Sequence, residues 1–175
     1  MRRAIILIVA ALTFRMPCCP QTKVAAPSDL VFRPYFVLKL HTDREHYYEQ
    51  NFNRVPYVTD GEVYLFAGEA FGINVTVTDD RLSRITYQRD PAKADVEFKF
   101  TQEKSPDGFM MVLVTRNRLK SRLYFDAMMT VPGEKEIYKT SVLPVEPNLS
   151  NFESWPHPIV QLVLSNFRFA ENGSQ

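Results

Sequence analysis

The chain is short of the residues that most often carry covalent or metal chemistry. Of its 175 residues only two are cysteine, three histidine and one tryptophan. The cysteines, Cys18 and Cys19, stand side by side in "FRMPCCPQ". A disulfide between neighbours would close a small, strained ring, far from ordinary disulfide geometry. With no third cysteine, the pair also lacks the further ligands that a structural zinc site draws on. No G-x-S-x-G elbow offers a nucleophilic serine, and the phosphate-binding and calcium-binding loop signatures are absent. These absences argue against a Ser or Cys hydrolase and lead to no expected cofactor.

Charge of one sign is lacking too. Lysine and arginine number 21 against 20 acidic residues, so no global basic character points to nucleic acid. Long apolar runs are missing as well. The opening run, Ala4 to Phe14, has eleven residues, whereas a membrane-spanning helix needs about 20. Preceded by Met1, Arg2 and Arg3, it matches a secretory signal peptide, and the spacing places the leader at residues 1–26, with a cut between 19 and 26. Lipidation at Cys18 or Cys19 would want small residues just before the cysteine, but Arg15, Met16 and Pro17 stand there. A lipid anchor is disfavoured, and the pair reads as part of a removed segment.

Losing residues 1–26 removes Arg2, Arg3, Arg15 and Lys23 and no acid, leaving 17 basic against 20 acidic residues and a net charge of about −3. Residues 27–175 then form a single cysteine-free domain that must be stable on packing alone. A chain of that size buries about 68–70% of its unfolded surface. The location expected is periplasmic in a Gram-negative cell, and otherwise secreted.

What is present is alternation with a period of two. Phe36, Leu38 and Leu40 share one face, as do Ile73, Val75 and Val77, and Val96, Phe98 and Phe100. This pattern marks strands with one buried and one wet face. The runs at 109–115 and 123–131 are apolar on both faces in places, as in central strands or strands that carry a partner surface. Turn residues separate the runs: "TDG" at 59–61, "TDDR" at 78–81, "KSPDG" at 104–108 and "VPGE" at 131–134. The fold class expected is all-β and mainly antiparallel: a β-sandwich, Ig-like in general architecture, with eight or nine strands.

Two segments break the pattern. "TDRE" at 42–45 has the form of a capping box and allows a short helix from Asp43 to Asn51. The segment after Trp155 would align Gln161, Ser165 and Arg168 into a polar stripe if helical. Its β-branched residues and flanking prolines favour a strand.

Candidate sites are few. "HTDREH" puts His41, Glu45 and His46 close together, but His46 would point away from Glu45 on a helix and no third ligand is evident, so no metal site is expected. "RNRLKSR" holds Arg116, Arg118, Lys120 and Arg122 at even spacing. In an extended chain they would form one positive strip, able to meet lipid phosphate, an acidic polysaccharide or an acidic protein; the plainer reading is a charged edge that discourages strand pairing. In "ESWPHP", Trp155 could stack on a sugar or peptide, with Glu153 and His157 supplying hydrogen bonds. The plainer reading of a lone tryptophan is a core plug. Together these features suggest a non-catalytic binding or interaction module of the cell envelope, its partner an acidic envelope component or another protein. The rivals are a polysaccharide hydrolase with unidentified carboxylates and a structural subunit.

Overall fold

The two-residue alternation becomes strands nearly everywhere. A computed structural model describes residues 30–170; the expected leader at 1–26 and both cysteines lie outside them. The strands are β1 (Phe36–His41), β2 (Tyr47–Phe52), β3 (Val58–Thr59), β4 (Glu62–Leu65), β5 (Glu69–Thr78), β6 (Arg81–Gln88), β7 (Val96–Ser105), β8 (Gly108–Asn117), β9 (Leu123–Thr130), β10 (Tyr138–Thr140), β11 (Ser150–Trp155) and β12 (Gln161–Phe169). All pairings are antiparallel, in a five-stranded sheet ordered β10-β9-β12-β4-β3, a second ordered β11-β8-β7-β5-β6, and the β1–β2 hairpin.

The two five-stranded sheets pack face to face as a β-sandwich. From one sheet, Val96, Phe98 and Phe100 of β7 point inward with Met111 and Leu113 of β8. From the other come Leu123, Phe125 and Ala127 of β9 with Leu162, Leu164 and Phe167 of β12. Phe98 meets both Phe125 and Phe167 edge-on across the interface, at centroid distances of 6.5 and 6.3 Å. Each such side chain, once fully buried, contributes about 1.5–3 kcal/mol, so packing can stand in for covalent cross-links.

The turn signals fall on strand connections. Asp60 and Gly61 both have positive φ between β3 and β4, as do Asp79 and Asp80 between β5 and β6. This is the two-residue geometry that matches hairpin twist. Pro106 and Asp107 join β7 to β8, and Gly133 lies between β9 and β10.

The structure corrects two expectations. No helix forms at 43–51. Thr42 to His46 make the hairpin turn, closed by Thr42 N–H to His46 O at 3.0 Å, and "YYEQNF" is β2. It is Asp43, not Thr42, that gathers the free amides, accepting from Glu45 and His46 N–H at 2.8 Å each. Along β2, Tyr47, Glu49 and Asn51 face out while Tyr48 and Phe52 pack against the core, so the segment carries a strand's period. The expected eight or nine strands become twelve among the described residues: β2 falls where a helix was expected, and β3 and β10, of two and three residues, are too brief to show periodicity. The only helical piece among the described residues is a 3-10 turn at Pro91–Lys93. The segment after Trp155 is indeed a strand, β12.

The β1–β2 hairpin reaches both ends of the core. Phe36 and Phe52 pack on Phe66, His41 stacks on Phe109 at 3.8 Å, and the Gln102 amide bridges His41 N–H and C=O at 2.8 Å each. Leu38 and Leu40 are its buried contribution.

Candidate functional site

The four cations of "RNRLKSR" do not lie on one extended segment. β8 ends at Asn117, which is fully buried. Its side chain donates to Ser121 O and Val145 O and accepts from Leu119 N–H, so it folds residues 118–122 into a tight loop. Arg118 turns inward, donating to Pro91 O, Ala94 O and Glu97 Oε2 at 2.8, 3.1 and 2.6 Å. Arg122 pairs with Glu146, and that carboxylate raises its pKa further. Arg116 and Lys120 stay exposed. Arg116 leaves the outer face of β8 between Glu97 of β7 and Ser150 of β11, and Glu97 is already engaged by Arg118.

Glu153, Trp155 and His157 are placed differently from one another. Trp155 is only 7% exposed. Its ring meets Phe100 at 84° and its Nε1–H donates to Thr140 Oγ1 at 2.8 Å, tying β11 of one sheet to β10 of the other. Glu153 accepts from Leu143 N–H at 2.7 Å and from the Asn151 amide at 2.9 Å. Both side chains hold the β10–β11 connection in place. His157 lies beyond the strand, half-buried, with Nδ1 3.4 Å from Pro158 O.

Two depressions mark the surface. One, of about 150 Å³, is lined by Tyr124, Asp126, Lys139, Thr140 and Arg168 among others. The Asn166 amide, at 3.1 Å, and then Arg168 hold the Asp126 carboxyl below its ordinary pKa, so it is not a proton donor near neutrality. The second, of about 250 Å³, includes one acid, Asp60, beside Ser83, Ile85 and Phe167. Glycoside hydrolysis needs two facing carboxyl groups, and each depression is lined by one. Among the described residues no three of His, Cys, Asp and Glu come together to hold a metal ion. His46 is instead paired with Asp43 at 2.8 Å.

A different feature is more pronounced. On the outer face of β8, Met110, Val112 and Val114 are only half-buried, and register places Phe152 of β11 beside Val114. Phe152 is 69% exposed. Scattered apolar residues are ordinary on a surface, but a contiguous group is a mark of an interaction site. β9, the other two-sided run, shows its outer face as Tyr124, Asp126 and Met128, a more polar mixture.

Sequence reasoning also missed a buried arginine and its partly buried carboxylate partner. Arg33, before β1, is 2% exposed. It grips Glu69 through two nitrogens, donates to Pro56 O and Tyr64 O at 2.6 and 2.5 Å, and lies over the Tyr57 ring at 3.9 Å. Nothing in the neighbouring residues separates this arginine from an exposed one, since its partners come from distant strands.

Comparison with protein-family models, characterised proteins and solved structures finds no match to this chain.

Proposed function

We propose that the protein is an exported, non-catalytic binding or interaction module of the cell envelope, periplasmic or secreted after loss of residues 1–26. Its partner surface is the outer face of β8 and β11. The observation that carries the reading is the outer-face apolar group of Val112, Val114 and Phe152 beside the exposed Arg116, which is in no ion pair among the described residues. A sandwich face can bind without any fixed sequence motif, so the lack of a recognisable catalytic constellation fits this role. Arg118 and Arg122 are held by internal carboxylates and serve the loop.

The test is fractionation of the host cell with the intact mass of the recovered chain. A mass shortened by 19–26 residues, in an envelope or secreted fraction, is expected. The double substitution Arg116→Glu and Lys120→Glu spares the internal bonds of Arg118 and Arg122, so folding should be kept while envelope retention falls. Recovery of the uncut chain from the cytosol contradicts export. Unchanged retention of the double variant contradicts the assigned surface.

A further inference from the structure

β11 is an edge strand whose outer backbone has no partner. The ladder fixes which groups these are. Asn117 N–H donates to Leu149 O at 2.9 Å, so along β8 every second residue from Asn117 (Thr115, Leu113 and Met111) turns its polar backbone toward β11. Their opposites are Asn151, Glu153 and Trp155. Antiparallel pairing alternates, so Ser150, Phe152 and Ser154 turn N–H and C=O away from the sheet. The Phe152 N–H confirms the direction: its acceptor is the Asn151 side chain, at 2.8 Å, and no backbone group of the described residues bonds to these three.

An open edge is a hazard that proteins usually blunt with charge, brevity or cover. The other edges of the two five-stranded sheets are blunted. β3 and β10 have two and three residues, and β6 carries Arg81 and Arg84. β11 is six residues long and bears instead the most exposed large apolar residue of those described, Phe152. It has no cation of its own.

We propose that the free edge of β11 is a strand-addition site for an extended segment of a partner protein, with apolar residues at alternate positions and an acidic residue set to meet Arg116. The inference rests on the binding-module reading above and names what that surface recognises. An added strand bonds through its backbone to Ser150, Phe152 and Ser154, and its outward apolar side chains cover Phe152. Arg116 lies one strand further in, behind Ser150, whose side chain is small. Strands are spaced about 4.8 Å apart, so a carboxylate opposite Ser150 starts about 10 Å from Arg116, within the combined reach of the two side chains. Arg116 is in no ion pair among the described residues, because Glu97 beside it is bonded to Arg118, and this exposed charge is what calls for an acid. A second copy of the chain does not supply it. The outward residues of β11 are Ser150, Phe152 and Ser154, so two such strands paired about a two-fold axis bring no carboxylate to either Arg116.

The test is selection of a displayed library of random dodecapeptides on the purified protein, with three variants as controls. Ser154→Pro removes an outward N–H and leaves the β8 ladder intact, a position proline tolerates. It should keep the unfolding midpoint near that of the parent and weaken selected peptides at least tenfold. Phe152→Ala should weaken them several-fold. Arg116→Glu should reverse the preference, from peptides with an acid among alternating apolar residues to peptides with a base. Failure to enrich any peptide, or enriched peptides that bind Ser154→Pro as well as the parent, overturns the proposal. A concentration-dependent dimer abolished by Ser154→Pro overturns it in favour of a second copy as the occupant. Envelope retention that survives Ser154→Pro but not the Arg116 and Lys120 double substitution leaves the binding module standing and removes strand addition.

Discussion

Arg33 and Glu69, 36 residues apart in sequence, meet in two bonds, Nε to Oε1 at 2.5 Å and Nη2 to Oε2 at 2.7 Å. The pair ties the segment before β1 to the corner where the chain passes from β4 to β5. Glu69 also accepts from Phe66 N–H at 3.0 Å. Removing Glu69 leaves the buried Arg33 charge uncompensated, which costs about 3–5 kcal/mol. Glu69→Gln should lower the stability by that order in urea unfolding, and Arg33→Ala, which leaves a carboxylate that is already 20% exposed, should cost less. A loss below about 1 kcal/mol for Glu69→Gln, the range of exposed pairs, would show that the contact is incidental.

Gly72 of β5 should not accept a side chain. A Cβ there would stand 2.2 Å from Ala94 Cβ and 2.6 Å from Val96 O, and the second of these is backbone that cannot rotate away. Gly72→Ala should therefore destabilise by about 1–3 kcal/mol, as over-packing does. Equal denaturant midpoints for Gly72→Ala and the parent would contradict the close approach.

Asp43 sets a pH dependence in the first hairpin. Backbone hydrogen bonds from Glu45 and then His46, with the His46 ring third, lower its pKa from 3.8 to about 2. A carboxyl whose folded pKa is depressed adds stability that is fully present above its ordinary value. That stability is lost as pH falls through the folded value. The turn should hold at pH 4 and open progressively as pH approaches 2. A carbon-13 titration of the Asp43 carboxyl, followed with the amide shifts of Glu45 and His46, should give one midpoint near 2. A midpoint near 3.8 would mean that the carboxylate does not hold those amides.

Trp155, the sole tryptophan, should report on the core. Its fluorescence is expected to be blue-shifted in the folded protein and to move red on unfolding. Trp155→Ala should cost about 3–5 kcal/mol, as for other large core truncations. A ligand-stacking tryptophan would instead be lost with little change in stability, and that result would return Trp155 to the binding surface.

The inner faces of β1 and β7 were legible because their apolar residues alternate without interruption. On β5 the pattern holds through Val75 and fails at Val77, which is 47% exposed, because the register shifts between Thr76 and Val77. The turns at 59–61 and 78–81 were legible because positive φ in a two-residue loop selects for Asp and Gly. The hairpin at 42–46 was not, because an aspartate that gathers amides in a turn resembles the start of a helix until the following strand is seen.

The candidate site was legible only in part. The sequence points to β8 as a two-sided strand, but the buried Asn117 ends that strand, and the even spacing of the cations does not show it. Phe152 passed unnoticed because one phenylalanine in a polar stretch reads as inward-facing. Only the pairing of β11 with β8 alone turns it into an exposed edge residue. Arg33 illustrates the same limit, since its burial depends on contacts that local periodicity does not encode.

The central claim is that β11 holds an open backbone edge beneath an exposed Phe152, and amide hydrogen exchange of the isolated protein tests it most directly. Alternation is expected along the strand: slow exchange at Asn151, Glu153 and Trp155, bonded to β8, and fast exchange at Ser150 and Ser154, with Phe152 between them through its single bond to the Asn151 side chain. Uniform slow exchange from Ser150 to Trp155 would mean the edge is already covered, and the surface assigned here to a partner would not exist.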